Sequence, residues 1–115
     1  MPLIKLETSA DLTEGKRAEL LPVLSKLIAE EIGKPETYVM VTLSQNGMMM
    51  SGDEHPAAFA DVRSIGGLTH DVNRAIADRL CDVLKDRLGV PPDRVYLNFT
   101  DIARTHWGWN RSTFG

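Results

Sequence analysis

Pro2 directly follows Met1. N-terminal processing removes a methionine that precedes a small residue such as proline, and the new chain end is then a secondary amine. An ordinary α-amino group titrates at about pH 7.7 to 8.0. Burial disfavours its charged form, and a nearby cation acts in the same direction, toward the range where a general base works at neutral pH. Lys34 is the candidate cation. The competing reading of Pro2 is a sheet-edge proline, placed where no backbone N–H is needed. Lys34 also has an ordinary explanation, since it follows Gly33 at a predicted helix end, where a cation meets the helix dipole favourably.

Other residues carry weaker chemical signals. Tyr96 and Asn98 are polar groups on a predicted strand whose far face needs covering, and a polar group there takes its hydrogen bonds from a structural neighbour or from a ligand. The run Trp107-Gly108-Trp109-Asn110 is an aromatic tail, suited to packing a terminal strand or to walling an apolar pocket. His55, His70 and His106 show no metal-ligand spacing, and Cys81 sits on a predicted helix. These four read as structural or surface residues, with no metal and no cofactor expected. Asn110-Arg111-Ser112 matches a glycosylation sequon by accident if the chain is not secreted.

An internal repeat positions these residues. "GKPETYVMVTL" from Gly33 aligns without gaps on "GVPPDRVYLNF" from Gly89, an offset of 56 residues. Carried backward, the offset pairs Leu20, Leu24, Leu27, Ile28 and Ile32 with Ile76, Leu80, Val83, Leu84 and Leu88, all at helical spacing. It pairs Thr13 with Thr69 as helix N-caps, and Leu6 with Val62 within alternating runs that read as strands. Pro2 meets Ala58, Lys34 meets Val90, and Thr42 meets Asn98. The repeat architecture therefore does not itself require the proline, the lysine or the asparagine.

Each half, roughly 2–56 and 57–115, reads strand, helix, Gly-Pro punctuation, strand, which is a βαβ unit with parallel strands. The expected fold is a single α+β domain, a two-layer sandwich of a four-stranded mixed sheet with both helices on one face. The uncovered face, with Met40, Thr42, Tyr96 and Asn98, predicts self-association. Pro22 falls within the first helix and predicts a kink or a start nearer Arg17. Asn46-Gly47 predicts a hairpin leading into Met48–Met50, and "SGDEHP" from Ser51 reads as the loop between halves.

At 115 residues, 43% hydrophobic and 25% charged, the composition is that of a globular domain, and a net charge of −3 disfavours a broad nucleic-acid surface. A single cysteine makes no intrachain disulfide. No secretory signal and no membrane span is legible. The expected location is cytoplasmic, compatible with export by a route that needs no signal peptide. Small molecules or proteins are the expected partners, with neither nucleic acid nor membrane.

The motifs together carry a specific match. "MP" at the start, "GKP" at Gly33 to Pro35, "SIG" at Ser64 to Gly66, "PDRVYLN" at Pro92 to Asn98 and "GWNRSTF" at Gly108 to Phe114 occur in order across nearly the whole chain. The sequence resembles the macrophage migration inhibitory factor and D-dopachrome tautomerase family of the tautomerase superfamily. That resemblance implies a homotrimer whose sheets form a barrel, with sites between subunits. It implies that processed Pro2 is the catalytic base, and that Lys34 and the Ile65 backbone N–H bind substrate carboxylate or carbonyl oxygens. Asn98 from a neighbouring subunit would hydrogen-bond the substrate and Tyr96 would help form the pocket, while Tyr38, Trp107, Trp109 and Phe114 would be rim or wall residues.

The implied activity is that of a phenylpyruvate tautomerase-like isomerase, with dopachrome isomerisation as a further family chemistry. The alternative is a cytokine-like signalling ligand with a vestigial pocket, whose partner would be a receptor. A third reading is a structural or small-molecule-binding domain of the same shape. Two departures stand out. The Cys-x-x-Cys motif of the vertebrate factor falls here on Ala57 and Ala60, so no thiol-disulfide activity is expected there. Trp107 replaces a smaller aliphatic residue, and the larger ring would narrow a pocket mouth.

Overall fold

The computed structural model describes every residue from Met1 to Gly115. Strand β1 (Leu3–Thr8), helix α1 (Glu14–Ile32) and strand β2 (Met40–Gln45) form the first half, and β3 (Ala58–Ser64), α2 (His70–Leu88) and β4 (Val95–Asp101) form the second. The sheet order is β2-β1-β3-β4, parallel within each half and antiparallel where β1 meets β3. The repeat is therefore a structural pseudosymmetry.

Local chemistry explains why the helices form where they do. Thr13 and Thr69 each accept a hydrogen bond from a backbone N–H three residues on, at 3.2 Å, satisfying one of the donors a helix start leaves orphaned. Gly33 and Gly89 end the helices in the left-handed conformation, at φ 76° and 69°, which glycine adopts without steric cost. Between the caps, Leu20, Leu24, Leu27, Ile28, Ile76, Leu80 and Leu84 are at most 1% exposed and pack on Ile4, Leu6, Ala60 and Val62 of the sheet. Burying each large apolar side chain contributes roughly 1.5–3 kcal/mol.

Three expectations need correction. Helix α1 starts at Glu14, not near Arg17, and runs through Pro22. Pro22 and Ala18 both lie on the solvent face, so water can satisfy the Ala18 carbonyl that a proline at this position leaves without its N–H partner.

The Asn46-Gly47 hairpin does not form. Neither residue has the positive φ that a primed two-residue turn demands, and β2 has no partner strand at Met48–Met50. The tight turn comes later, at Ser51-Gly52 (φ 54° and 77°), where Met50 and Asp53 exchange backbone hydrogen bonds of 3.0 and 3.1 Å.

The tail also forms structure that the repeat did not predict. Strands β5 (Gly108–Trp109) and β6 (Ser112–Thr113) make a small hairpin turned by Asn110 and Arg111, both at positive φ.

The sheet's second face carries Leu3, Lys5 and Glu7 on β1, Met40 and Thr42 on β2, Phe59, Asp61 and Arg63 on β3, and Tyr96, Asn98 and Thr100 on β4, with no helix over it. Met40 is 62% and Tyr96 66% exposed on this face. No helix is long and apolar enough to cross a membrane.

Candidate active site

Pro2 is buried immediately before β1, and its carbonyl accepts the Met40 N–H at 3.0 Å. The edge-strand explanation of the proline fails, because β1 lies between β2 and β3. The residue escapes the N–H requirement by preceding the ladder instead: Leu3 is the first residue paired on either side.

The chain's free amine is thereby held near Lys34. Burial lowers the Met1 amine below the usual α-amino range, and the Lys34 ammonium lowers it further. Both effects disfavour the protonated form, which is what a basic amine at neutral pH needs.

Lys34 reaches this point because of its neighbours. Its N–H donates to Ala29 O at 3.1 Å, continuing the glycine cap of α1. Its stem passes Gly67, where φ is +79° and an added Cβ would stand 2.8 Å from the Ile32 side chain and 3.9 Å from Lys34 Cε. A side chain on residue 67 would have to displace its packed neighbours.

The turn from Ser64 to Gly67 carries Ile65. Ile102 N–H donates to Ser64 O at 2.9 Å, and Gly66 N–H donates to Asp101 Oδ1 at 2.9 Å. The Ile65 N–H between them has no acceptor within the chain.

Two hollows meet at the chain start. One, of about 280 Å³, is walled by Pro2, Tyr38, Trp107, Trp109 and Phe114 with Met1 at its edge. Trp109 and Phe114 stack at a centroid distance of 5.8 Å and 11° between planes. The other, of about 250 Å³, is bounded by Met1, Lys34, Ile65, Arg104 and Phe114. Met1 and Phe114 belong to both, so an amine stands where an aromatic slot opens into a cationic chamber. No aspartate or glutamate lines either.

Seven of the nine residues named from the sequence thus converge: Pro2, Lys34, Tyr38, Ile65, Trp107, Trp109 and Phe114. Tyr96 and Asn98 do not. They lie on β4, the edge strand separated from β1 by β3, and Tyr96 borders a separate apolar hollow with Met48, Met49, Met50 and Phe59. Asn98 is exposed beside Asp61.

Arg104 was not singled out from the sequence. A lone arginine in a loop carries no motif, and its only signal is its place three residues before Trp107. The largest opening, about 530 Å³, is a shallow polar groove of Ser9, Gln45, Asn46, Gly47, Met48 and Glu54, containing none of these residues. Among the histidines, His55 pairs with Asp53 at 2.9 Å and His106 borders a hollow on the uncovered face. The Cys81 thiol is pushed up by burial, then by Asp78 and Asp82, and so is held as the unreactive thiol.

The family model described as macrophage migration inhibitory factor (MIF) matches residues 1–115. A macrophage migration inhibitory factor homolog of Trichuris trichiura is 36% identical over 115 residues, spanning 99% of this chain and 100% of that protein. The crystal structure of the homologue from Prochlorococcus marinus superposes with a TM-score of 0.91 at 38% identity, covering 98% and 99% of the two chains. The Toxoplasma gondii factor superposes with a TM-score of 0.92 at 35% identity, covering 96% and 98%.

Proposed function

The chain belongs to the macrophage migration inhibitory factor family, and from that premise we propose that it is a keto–enol tautomerase for aromatic α-keto acids such as phenylpyruvate, with Pro2 as general base once Met1 is removed. One observation carries the reading: Pro2 lines the aromatic slot, and the Met1 that caps its nitrogen borders both that slot and the cationic chamber, so loss of Met1 frees the Pro2 amine at their junction.

In this mechanism the ring occupies the slot of Tyr38, Trp107, Trp109 and Phe114, and the acid end enters the chamber. Neutral Pro2 takes a proton from the carbon between ring and ketone. The electron pair of that C–H bond becomes the enolic C=C, and negative charge develops on the ketone oxygen. Lys34 and the Ile65 N–H are the donors that face that charge. Protonated Pro2 then returns its proton to that oxygen, which completes the enol and regenerates the neutral base, and the reverse sequence makes the ketone.

We propose further that the working form is a homotrimer. Support comes from the uncovered sheet face and from the position of Tyr96 and Asn98, which reach the pocket only if a second copy brings its β4 alongside this chain's start at Pro2.

The test is ketonisation of enol phenylpyruvate, followed by ultraviolet absorbance, on protein whose mass shows Met1 removed. Positioned acid–base catalysis contributes roughly 10²–10⁴-fold, so processed Pro2→Gly is expected to lose that much turnover while keeping its fold. Undiminished turnover in that variant would sink the mechanism.

A further inference from the structure

Lys34 is not the only cation in the chamber. Arg104 opens the short 3-10 turn Arg104–His106, and its Nε donates to the Phe114 carbonyl at 3.2 Å. That bond leaves the guanidinium's two terminal nitrogens without a protein acceptor, and no carboxylate pairs with either Arg104 or Lys34. Two uncompensated cations therefore border one space of about 250 Å³ with no acid in its wall. Their mutual repulsion is relieved when an anion enters.

The two cations differ in what they bind best. A guanidinium presents a planar fork that matches a carboxylate with two parallel hydrogen bonds, whereas an ammonium is a compact point charge. Their supports differ too. The Lys34 stem lies against Gly67, next to the turn that presents the Ile65 N–H, so ammonium and amide approach from one wall. Arg104 is held by the tail, on the side of Phe114.

An α-keto acid brings one full charge on its carboxylate and develops a second on the ketone oxygen as the proton leaves. We infer that Arg104 is the carboxylate anchor, gripping the acid through the free edge of its guanidinium, and that Lys34 and the Ile65 N–H are thereby left to the oxygen that gains charge. The inference rests on the tautomerase reading for the second half of this division of labour. The carboxylate grip stands apart from it.

The experiment has two arms, both on Met1-free protein. In the first, phenylpyruvate and its methyl ester are compared as substrates. Arg104→Ala is expected to raise KM for the acid about tenfold or more, leave kcat within about twofold, and leave the ester unchanged. Arg104→Lys is expected to recover part of the loss. Equal losses on acid and ester overturn the assignment.

In the second arm, calorimetry compares binding of unreactive 3-phenylpropanoate with that of its amide. The unmodified protein is expected to prefer the acid by about tenfold or more, and Arg104→Ala to abolish that preference. If the acid preference survives in Arg104→Ala, or is absent from the unmodified protein, Arg104 is not the anchor. A preference that depends on Arg104 in a protein without phenylpyruvate turnover upholds the anchor and rejects the tautomerase reading. Arg104→Gln serves both arms if the alanine variant does not fold.

Discussion

Asp101 Oδ1 accepts the Gly66 N–H at 2.9 Å, tying the end of β4 to the turn that presents Ile65. The first half has a related tie at the repeat-equivalent position, where Gln45 Oε1 accepts the Leu12 N–H at 2.9 Å. Both second strands thus reach back to the segment that follows the first strand. In the second half that segment borders the chamber.

On the proposed reading of the site, Asp101 is accordingly a positioning residue for the Ile65 N–H. On the proposed mechanism, Asp101→Ala is expected to lower kcat/KM for phenylpyruvate about 10-fold or more, from the loss of a charge-assisted hydrogen bond worth roughly 1.5–3 kcal/mol. Asp101→Asn keeps an acceptor oxygen and should recover most of it. Steady-state kinetics on both variants check this. An alanine variant with unchanged kcat/KM would show that the turn holds its place without the carboxylate.

The amine at the chain start sets a second expectation. Burial and then Lys34 hold the Met1 amine below its usual range, so its neutral fraction at pH 7 exceeds that of a free α-amino group. Lys34→Met removes one of the two causes and is expected to raise the amine's pKa, with burial keeping it below the ordinary value of about 7.7–8.0. The rate of reaction with an acylating reagent across pH measures this in the Met1-bearing protein. On the proposed mechanism, the acid limb of kcat/KM in the processed protein shifts upward in the same variant, because activity is lost as pH falls through the pKa of the base. An amine that titrates identically with and without Lys34 contradicts the coupling.

The repeat supplies a matched pair of hydroxyls with opposite expectations. Thr8 and Ser64 are both 0% exposed at equivalent strand ends. Thr8 Oγ1 donates to Ala57 O at 2.8 Å and accepts from Ala10 N at 3.1 Å, whereas Ser64 Oγ has no partner. The amide equivalent to Ala10 N is that of Gly66, and it is the one drawn away by Asp101. Thr8→Val is expected to destabilise by about 1–3 kcal/mol, since it strands buried polar groups, while Ser64→Ala is expected to be neutral or stabilising by up to about 1 kcal/mol. Urea midpoints for the two variants decide the matter. Equal destabilisation would show that the Ser64 hydroxyl is bonded after all.

The sequence alone determined what depends on neighbours along the chain. Threonine caps, glycine stops and apolar stripes act within a turn or two, so both helices and all four main strands were legible, and the 56-residue offset showed that they form two copies of one unit. The candidate site was legible chiefly through its motifs, which hold five of the seven residues that converge around the amine, and through the family resemblance, which added Tyr38 and Trp107. Tertiary structure decided the rest. The order β2-β1-β3-β4 makes Pro2 the head of an inner strand and leaves Tyr96 and Asn98 on a remote edge, because strand pairing is a contact between residues far apart in sequence. The primed turn falls at Ser51-Gly52, not at Asn46-Gly47, where the backbone keeps negative φ. Arg104 joined the candidate site only because the tail brings the Phe114 carbonyl onto the arginine and places it beside the chamber with Lys34, a juxtaposition across 70 residues of chain that no local pattern encodes.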